Sequence, residues 1–347
     1  MSQALTKFKQ QMQKSLGASR VLNAEDYPPV EVVSTGSISL DFALGSGGIP
    51  RGRVVEIFGR ESIGKTSLGY YIMKEHEKKG LATAFVNIEG GSFDPAWAKR
   101  LVDLSGETLI VEPDPGTESV EAVARLVESG LFGVVVFDSI GAMLGDKEQE
   151  AGEKKQVGGQ SGLVTNMIKM VSVPAARNGT TVLFINQIRD AIGSPNTYAI
   201  KTPGGHAVQH MAVQRIVMKQ AGMSLKNGTE EVGFPVAAKI EKNKTGAPKK
   251  VANWNFYFSP SETGVLGIDR DQEIIDLSFN HYIFDHQGGG YYFHPSFPED
   301  KGQHRIRGKD AVAEYIKQTP EVFDIIRKEL MDLSIKKIGG FNGSINS

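Results

Sequence analysis

Gly59-Arg60-Glu61-Ser62-Ile63-Gly64-Lys65-Thr66 is a complete G-x-x-x-x-G-K-T stretch, and what flanks it decides the fold. Before it runs Arg53 to Phe58, a mostly β-branched and aromatic segment of strand character. After it, Thr66 to Lys79 has the length and composition of a helix. A glycine-bearing turn between strand and helix lets successive backbone N–H groups face phosphate oxygens, while the helix directs its positive end at the same anion. Gly59, Glu61, Ser62 and Gly64 shape that cradle. Lys65 adds a point charge, and Thr66, followed by Ser67, offers a hydroxyl to Mg2+. The expected ligand is a nucleotide phosphate with its magnesium ion.

Working outward, further strand-like runs stand at Thr83–Ile88, Thr108–Val111, Val134–Asp138 and Thr180–Asn186, with helix-length segments such as Glu118–Ser129 between them. That alternation predicts an α/β fold with a mainly parallel central sheet. Val213–Lys219, Pro235–Ile240 and Asn253–Phe258 follow without intervening helices and should extend the sheet antiparallel. Ligands in such sheets sit outside the carboxyl ends of the strands. Asp138 closes an apolar strand there and is the expected second magnesium ligand, although an acid at that place also serves as a turn or cap residue. Glu89 closes another strand and is the candidate to orient a water for phosphoryl transfer, against a plain solvated glutamate. Asn186 and Gln187 end a third, with Gln187 placed to sense a γ-phosphate. Asp94 and Trp97 lie just downstream of Glu89, where an aromatic face can cover a purine or simply join the core.

Two long glycine-bearing loops leave the same edge. Gly145 to Gly162 holds Lys147, Lys154, Lys155 and Gly158-Gly159, with Ser161 before a helix; Ile188 to Gly205 holds Arg189, Ile192, Lys201 and Gly204. Backbone amides and scattered cations suit phosphate contacts, and an isolated aliphatic side chain can wedge between bases, so these loops are single-stranded DNA candidates unless they bind nothing. Lys239, Lys242, Lys244, Lys249 and Lys250 face only Glu241 over a short span, which is a solvated face or a cationic contact for a phosphate, even in another subunit. Leu5, Phe8, Met12 and Leu16 place one apolar stripe on a short N-terminal helix that packs on its own chain or docks on a neighbour.

Composition narrows the class. The 347 residues carry 39 Lys and Arg against 40 Asp and Glu, so any nucleic-acid surface must be local. With no cysteine, a disulfide scaffold and a thiolate metal site are excluded. Val134–Phe137 and similar apolar runs fall far short of the ~18 residues of a membrane span, and the chain reads as cytoplasmic. We expect an N-terminal helix and linker over residues 1–31, a nucleotide-binding core over 32–261 and a small α+β C-terminal domain over 262–347, where Arg305, Arg307 and Lys309 form a patch for duplex DNA.

The ordered set STGSISLDFALGSGGIPRGRVVEIFG, ESIGKT, the Glu89 segment, VVVFDS, FINQIR, TPGG, the KNK element and EYIKQTPE resembles the RecA family of DNA strand-exchange recombinases over roughly residues 32–333. The resemblance implies an ATP- and Mg2+-dependent enzyme that forms a helical filament on single-stranded DNA and pairs it with a homologous duplex. It also implies that Lys65, Glu89 and Gln187 form the catalytic group and that Asp94 and Trp97 contact adenine. Lys242 and Lys244 would reach ATP across the subunit interface, and the N-terminal helix would dock on the next subunit. Residues 155–162 and 188–205, including Gly158, Gly159, Ser161, Gly162, Arg189, Ile192, Gly204 and Gly205, become the DNA-binding loops, with Ile192 the wedge. Arg60 stands where a proline is usual, Gln209-His210 where Lys-Phe is common, and the acidic tail is missing. A hexameric helicase on the same core, or a signalling ATPase that ignores DNA, would share the phosphate site.

Overall fold

The computed structural model describes residues 2–91, 93–143, 159–188, 202–281, 284–287, 290–293 and 305–339. Two compact units appear, residues 1–31 and 32–347. In the first, α1 (Gln3–Leu16) starts at Ser2, whose Oγ accepts from the Leu5 N–H at 3.3 Å. Its apolar stripe stays open: Leu5 is 52% and Phe8 58% exposed.

In the second unit, β1 (Val32–Val33) and β2 (Ile49–Pro50) pair on either side of α2 (Ile38–Leu44) in the sequence. Strands and helices then alternate: β3 (Val54–Gly59), α3 (Lys65–Glu77), β4 (Ala82–Asn87), α4 (Pro95–Val102), β5 (Thr108–Val111), α5 (Thr117–Glu128), β6 (Phe132–Asp138), α6 (Gly159–Asn178) and β7 (Thr181–Gln187). After α7 (Gly205–Met211) come β8 (Gln214–Gln220), β9 (Leu225–Asn227), β10 (Glu230–Asn243), β11 (Val251–Tyr257) and β12 (Gly267–Ile268). The C-terminal part holds α8 (Arg270–Asn280), β13 (Phe284–Gln287), β14 (Gly290–Phe293), β15 (Arg305–Ile306), α9 (Lys309–Gln318) and α10 (Pro320–Gly339).

The main sheet runs β12-β11-β10-β8-β3-β7-β6-β4-β5, with β9 beside β10. From β5 to β8 every pairing is parallel, and β10, β11 and β12 continue it antiparallel, as expected from the absence of helices between them. The parallel strands are covered on both faces, which is why they read as unbroken apolar runs. Val55, Ile57, Val134, Val136, Leu183 and Ile185 meet α2 and α3 on one face. Val54, Val135, Phe137, Val182 and Phe184 meet α5, α6 and α7 on the other. A third cluster, with Ile274, Val312, Ile316, Ile326 and Leu330, holds the C-terminal helices together and takes in Ile38 and Phe42 of α2.

A carboxyl is buried where α2 begins. Asp41 is 2% exposed and accepts from Thr35 N at 2.8 Å, Thr35 Oγ1 at 2.7 Å and Ser34 Oγ at 2.5 Å. Loss of water outweighs those donors and pushes it up to about 7. The folded chain therefore holds this proton between about pH 4 and 7 while the unfolded chain releases it, so stability falls as pH rises through that window and is level above it. Asp41→Asn keeps the acceptor toward Thr35 and lets Ser34 accept from the new amide. The variant should gain ~1–3 kcal/mol on the parent between pH 5 and pH 8, read as a shift of several degrees in thermal midpoint. Midpoints that move in parallel at both pH values would show that Asp41 stays ionised.

Candidate nucleotide site and nucleic-acid interface

The phosphate loop takes its shape from its backbone. Gly64 sits at φ 83° and caps α3, a left-handed conformation that a side chain would disfavour, and Ser62 shares the positive sign at φ 57°. Lys65, the first residue of α3, folds back over the loop and donates to the Arg60 carbonyl at 2.6 Å. It is largely buried, which pulls its ammonium down, while the carboxylates of Asp138, Glu89 and Glu61 act in the opposite sense. Those three acids thus share one electrostatic neighbourhood with the lysine.

Strand period decides which side chains converge. Asp138 continues the face of Val134 and Val136, and Gln187 that of Leu183 and Ile185, so both look toward α3. Thr66 Oγ1 donates to Asp138 Oδ2 at 2.7 Å, which sets two oxygens of different type side by side. Asp138 is 1% exposed, and burial, with a contribution from Glu89, pushes it up to about 6 despite the Thr66 hydrogen bond and Lys65. A buried carboxylate short of compensating charge fits a cation. Magnesium needs few protein ligands because phosphates and water complete its shell, so this pair suits it. Glu89 is exposed just past β4, and its Oε1 accepts from Gln187 Nε2 at 2.7 Å. The strand ends are laced together by Ile88 N to Asp138 O at 2.9 Å and Ile188 N to Gly59 O at 3.2 Å.

Asp94 caps α4: its Oδ1 accepts from Ala96 N at 2.8 Å and Trp97 N at 3.1 Å. Trp97 is half-buried with its indole N–H 3.4 Å from Ser67 Oγ, against the first turn of α3, the turn that follows the phosphate loop. Lys65, Thr66, Ser67, Asp138, Glu89, Gln187 and Trp97 are brought together. Lys242 and Lys244 are not. Lys242 instead donates to the carbonyls of Gln209 at 2.8 Å and His210 at 2.7 Å, which end α7. Desolvation first, then Lys244 and Arg215, pull its ammonium down.

Of the DNA-loop residues, Lys147, Lys154, Lys155, Gly158, Arg189, Ile192 and Lys201 lie outside the described residues. Gly159 opens α6, and Ser161 and Gly162 occupy its first turn. Gly204 caps α7 and Gly205 begins it. The roots of the two loops touch: a Cβ at Gly205 would lie 2.3 Å from Ser161 Oγ, so only glycine lets them meet this closely.

Sequence order places Asn186 beside Gln187 in this crevice. The structure turns it to the opposite face, with Val182 and Phe184, where it is buried and donates to Glu56 Oε1 at 2.9 Å and to the Pro203 carbonyl at 3.0 Å. Period-2 alternation alone carries that signal. Glu56 in turn accepts from Arg215 Nε at 2.5 Å, a pair that no local pattern announces.

A family model described as the RecA N-terminal domain matches residues 2–263. Among curated proteins, the chain is 34% identical to Protein RecA of Thermus aquaticus over 333 residues, covering 94% of this chain and 93% of that protein. It is 35% identical to Protein RecA of Methylococcus capsulatus, covering 95% and 91%. Protein RecA of Rickettsia canadensis is 34% identical, covering 94% and 92%.

Proposed function

We propose a division of labour for this chain, which belongs to the RecA family and is a homologous recombinase of that kind. In this reading ATP lies at the carboxyl ends of β3, β4, β6 and β7. Lys65 and the backbone of residues 59–64 hold its phosphates, Thr66 and Asp138 hold Mg2+, and Trp97 flanks the base with Asp94 at its helix start. A bound magnesium ion supplies positive charge against the phosphate oxygens. Glu89 orients the attacking water and accepts its proton, and Gln187 reports the γ-phosphate.

The observation that carries this reading is the Gln187–Glu89 hydrogen bond, because it joins the residue that handles water to the strand-end residue from which the second DNA loop leaves. Residues 155–162 and 188–205 then hold single-stranded DNA, with Ile192 as wedge, and residues 262–347 gather duplex. The open apolar stripe of α1 docks on the next subunit. Such a contact joins two different patches, so it need not close into a ring and can propagate as a filament. Binding is expected to be sequence-tolerant and salt-sensitive, since base pairing reads homology while the protein holds backbone. Similarity along nearly the whole chain to proteins named RecA does not favour the helicase or DNA-blind alternatives. Among the described residues no helix is long and apolar enough to cross a membrane.

Phosphate release measured with and without single-stranded DNA tests the assignment. Hydrolysis should rise at least tenfold with DNA, a barrier lower by ~1.4 kcal/mol or more. A rate indifferent to DNA would return the chain to the DNA-blind reading.

A further inference from the structure

Three polar side chains sit inside an otherwise apolar sheet face and form an unbroken line. Arg215 on β8 stacks over the Phe58 ring at 4.7 Å and donates to Glu56 Oε2 on β3. Glu56 Oε1 accepts from Asn186 on β7. Asn186 and Glu56 are both 0% exposed. The orientation of the Asn186 amide is forced by its partners. Its nitrogen faces a carboxylate and a proline carbonyl, which only accept, and its Oδ1 receives the Gln187 backbone N–H at 2.9 Å. Every polar atom of the side chain is used.

A buried charged pair is rarely more stable than apolar residues of equal volume. What this one provides is position. Its terminal member touches the backbone on both sides of the segment 188–202: Gln187 as the chain leaves β7, and Pro203 as it returns toward α7. We propose that Asn186 is a positioning residue, a clasp that ties the strand end carrying Gln187 to the Pro203 carbonyl so that the state of the nucleotide site reaches the returning arm of the DNA loop. The inference rests on the reading of Gln187 as γ-phosphate sensor and of 188–205 as a DNA loop. Glu56 and Arg215 hold the clasp in register from the neighbouring strands. A shift of Gln187 toward or away from the phosphate moves the N–H that Asn186 accepts. The amide then carries that motion to Pro203, two residues before Gly205 meets Ser161 at the root of the first loop.

Asn186→Asp tests this in the full chain. The carboxylate keeps the acceptor for the Gln187 N–H but loses both donors, leaving acceptors opposed at Glu56 and Pro203. The readout is the ratio of affinities for a labelled oligothymidylate with and without a slowly hydrolysed ATP analogue. For the parent this ratio should exceed about tenfold; for Asn186→Asp it should fall toward unity. Glu56→Gln combined with Asn186→Asp controls for folding. The amide introduced at position 56 donates to the carboxylate introduced at position 186, while its oxygen still accepts from Arg215. The thermal midpoint therefore recovers, but the Pro203 carbonyl keeps no donor and the ratio stays low. A variant ratio equal to the parent's, or coupling that returns in the double variant, overturns the clasp and leaves the reading intact. A parent whose DNA affinity ignores nucleotide overturns the reading itself, and the clasp with it.

Discussion

Glu89→Gln should leave a protein that binds ATP and assembles on single-stranded DNA but hydrolyses ATP at least ~10²-fold more slowly. The geometry makes this substitution unusually clean. Glu89 Oε1 accepts from Gln187 Nε2 at 2.7 Å, and the amide oxygen of glutamine accepts the same hydrogen bond. The link to Gln187 therefore survives, while the carboxylate proposed to take the proton from water does not. Removing the charge also relieves Asp138, whose carboxyl Glu89 helps to push up, so magnesium binding should not suffer. In the proposed mechanism hydrolysis removes the phosphate that sustains the DNA-bound state, so filaments of the variant should outlive those of the parent. Phosphate release and DNA dissociation measured on one preparation check both halves. Hydrolysis at the parental rate would remove Glu89 from the chemistry. Loss of DNA assembly together with hydrolysis would mean that the contact with Gln187 needs the charge.

How much of this is legible in the sequence varies with the physics of each element. β3, β4, β6 and β7 lie within one or two residues of their expected positions, because strands buried on both faces leave continuous apolar runs. The phosphate loop, Thr66, Asp138, Glu89 and Gln187 are legible for a related reason: each stands at a strand end, and strand ends of a parallel sheet share one edge. β10 is longer than its apolar run, since its first residues, Glu230 and Glu231, pair only with the polar edge strand β9 and carry no apolar signature. α4 escapes a reading by periodicity, although Asp94-Pro95 spells a helix start, with the aspartate as cap and proline in the first turn. Asn186 joins the wrong neighbours when read by adjacency, because adjacency in sequence is opposition in a strand. Its true partner, Glu56, is 130 residues away, and that contact depends on the register of β3 against β7, which no local pattern encodes.

The lysine pair is the expected second half of an ATP site if it is not a solvated face, and the sheet register turns that expectation into a sharp prediction. Gly59, where the phosphate loop begins, pairs with Met218, and Met218 with Ala238 of β10. Lys242 pairs instead with Arg215, and Arg215 with Glu56. The lysines therefore lie two strands across and about 10 Å back toward the amino edge of the parallel strands, at ~3.3 Å per residue, farther from their own phosphate loop than a lysine side chain spans. In the single chain Lys242 spends its ammonium on the carbonyls that end α7, a favourable place for a cation. Service to ATP can only be to a neighbour's. Lys242→Ala with Lys244→Ala should then bind ATP as a monomer yet fail to hydrolyse it on DNA, because charge stabilisation of the transferring phosphoryl group is lost. Mixed with Glu89→Gln protein, itself inactive, it should recover. A complete site forms wherever a subunit with Glu89 meets a neighbour with its lysines. Random assembly along a head-to-tail filament makes that fraction peak at about a quarter of sites at equal amounts, falling to zero at either extreme. A bell-shaped recovery against mixing ratio is the expected result of a DNA-dependent phosphate-release titration. Inactivity at every ratio would mean that the lysines act only within their own chain, holding α7. Full activity of the double-lysine variant alone would make the cluster a solvated face, and the filament would then need some other contact to complete its ATP site.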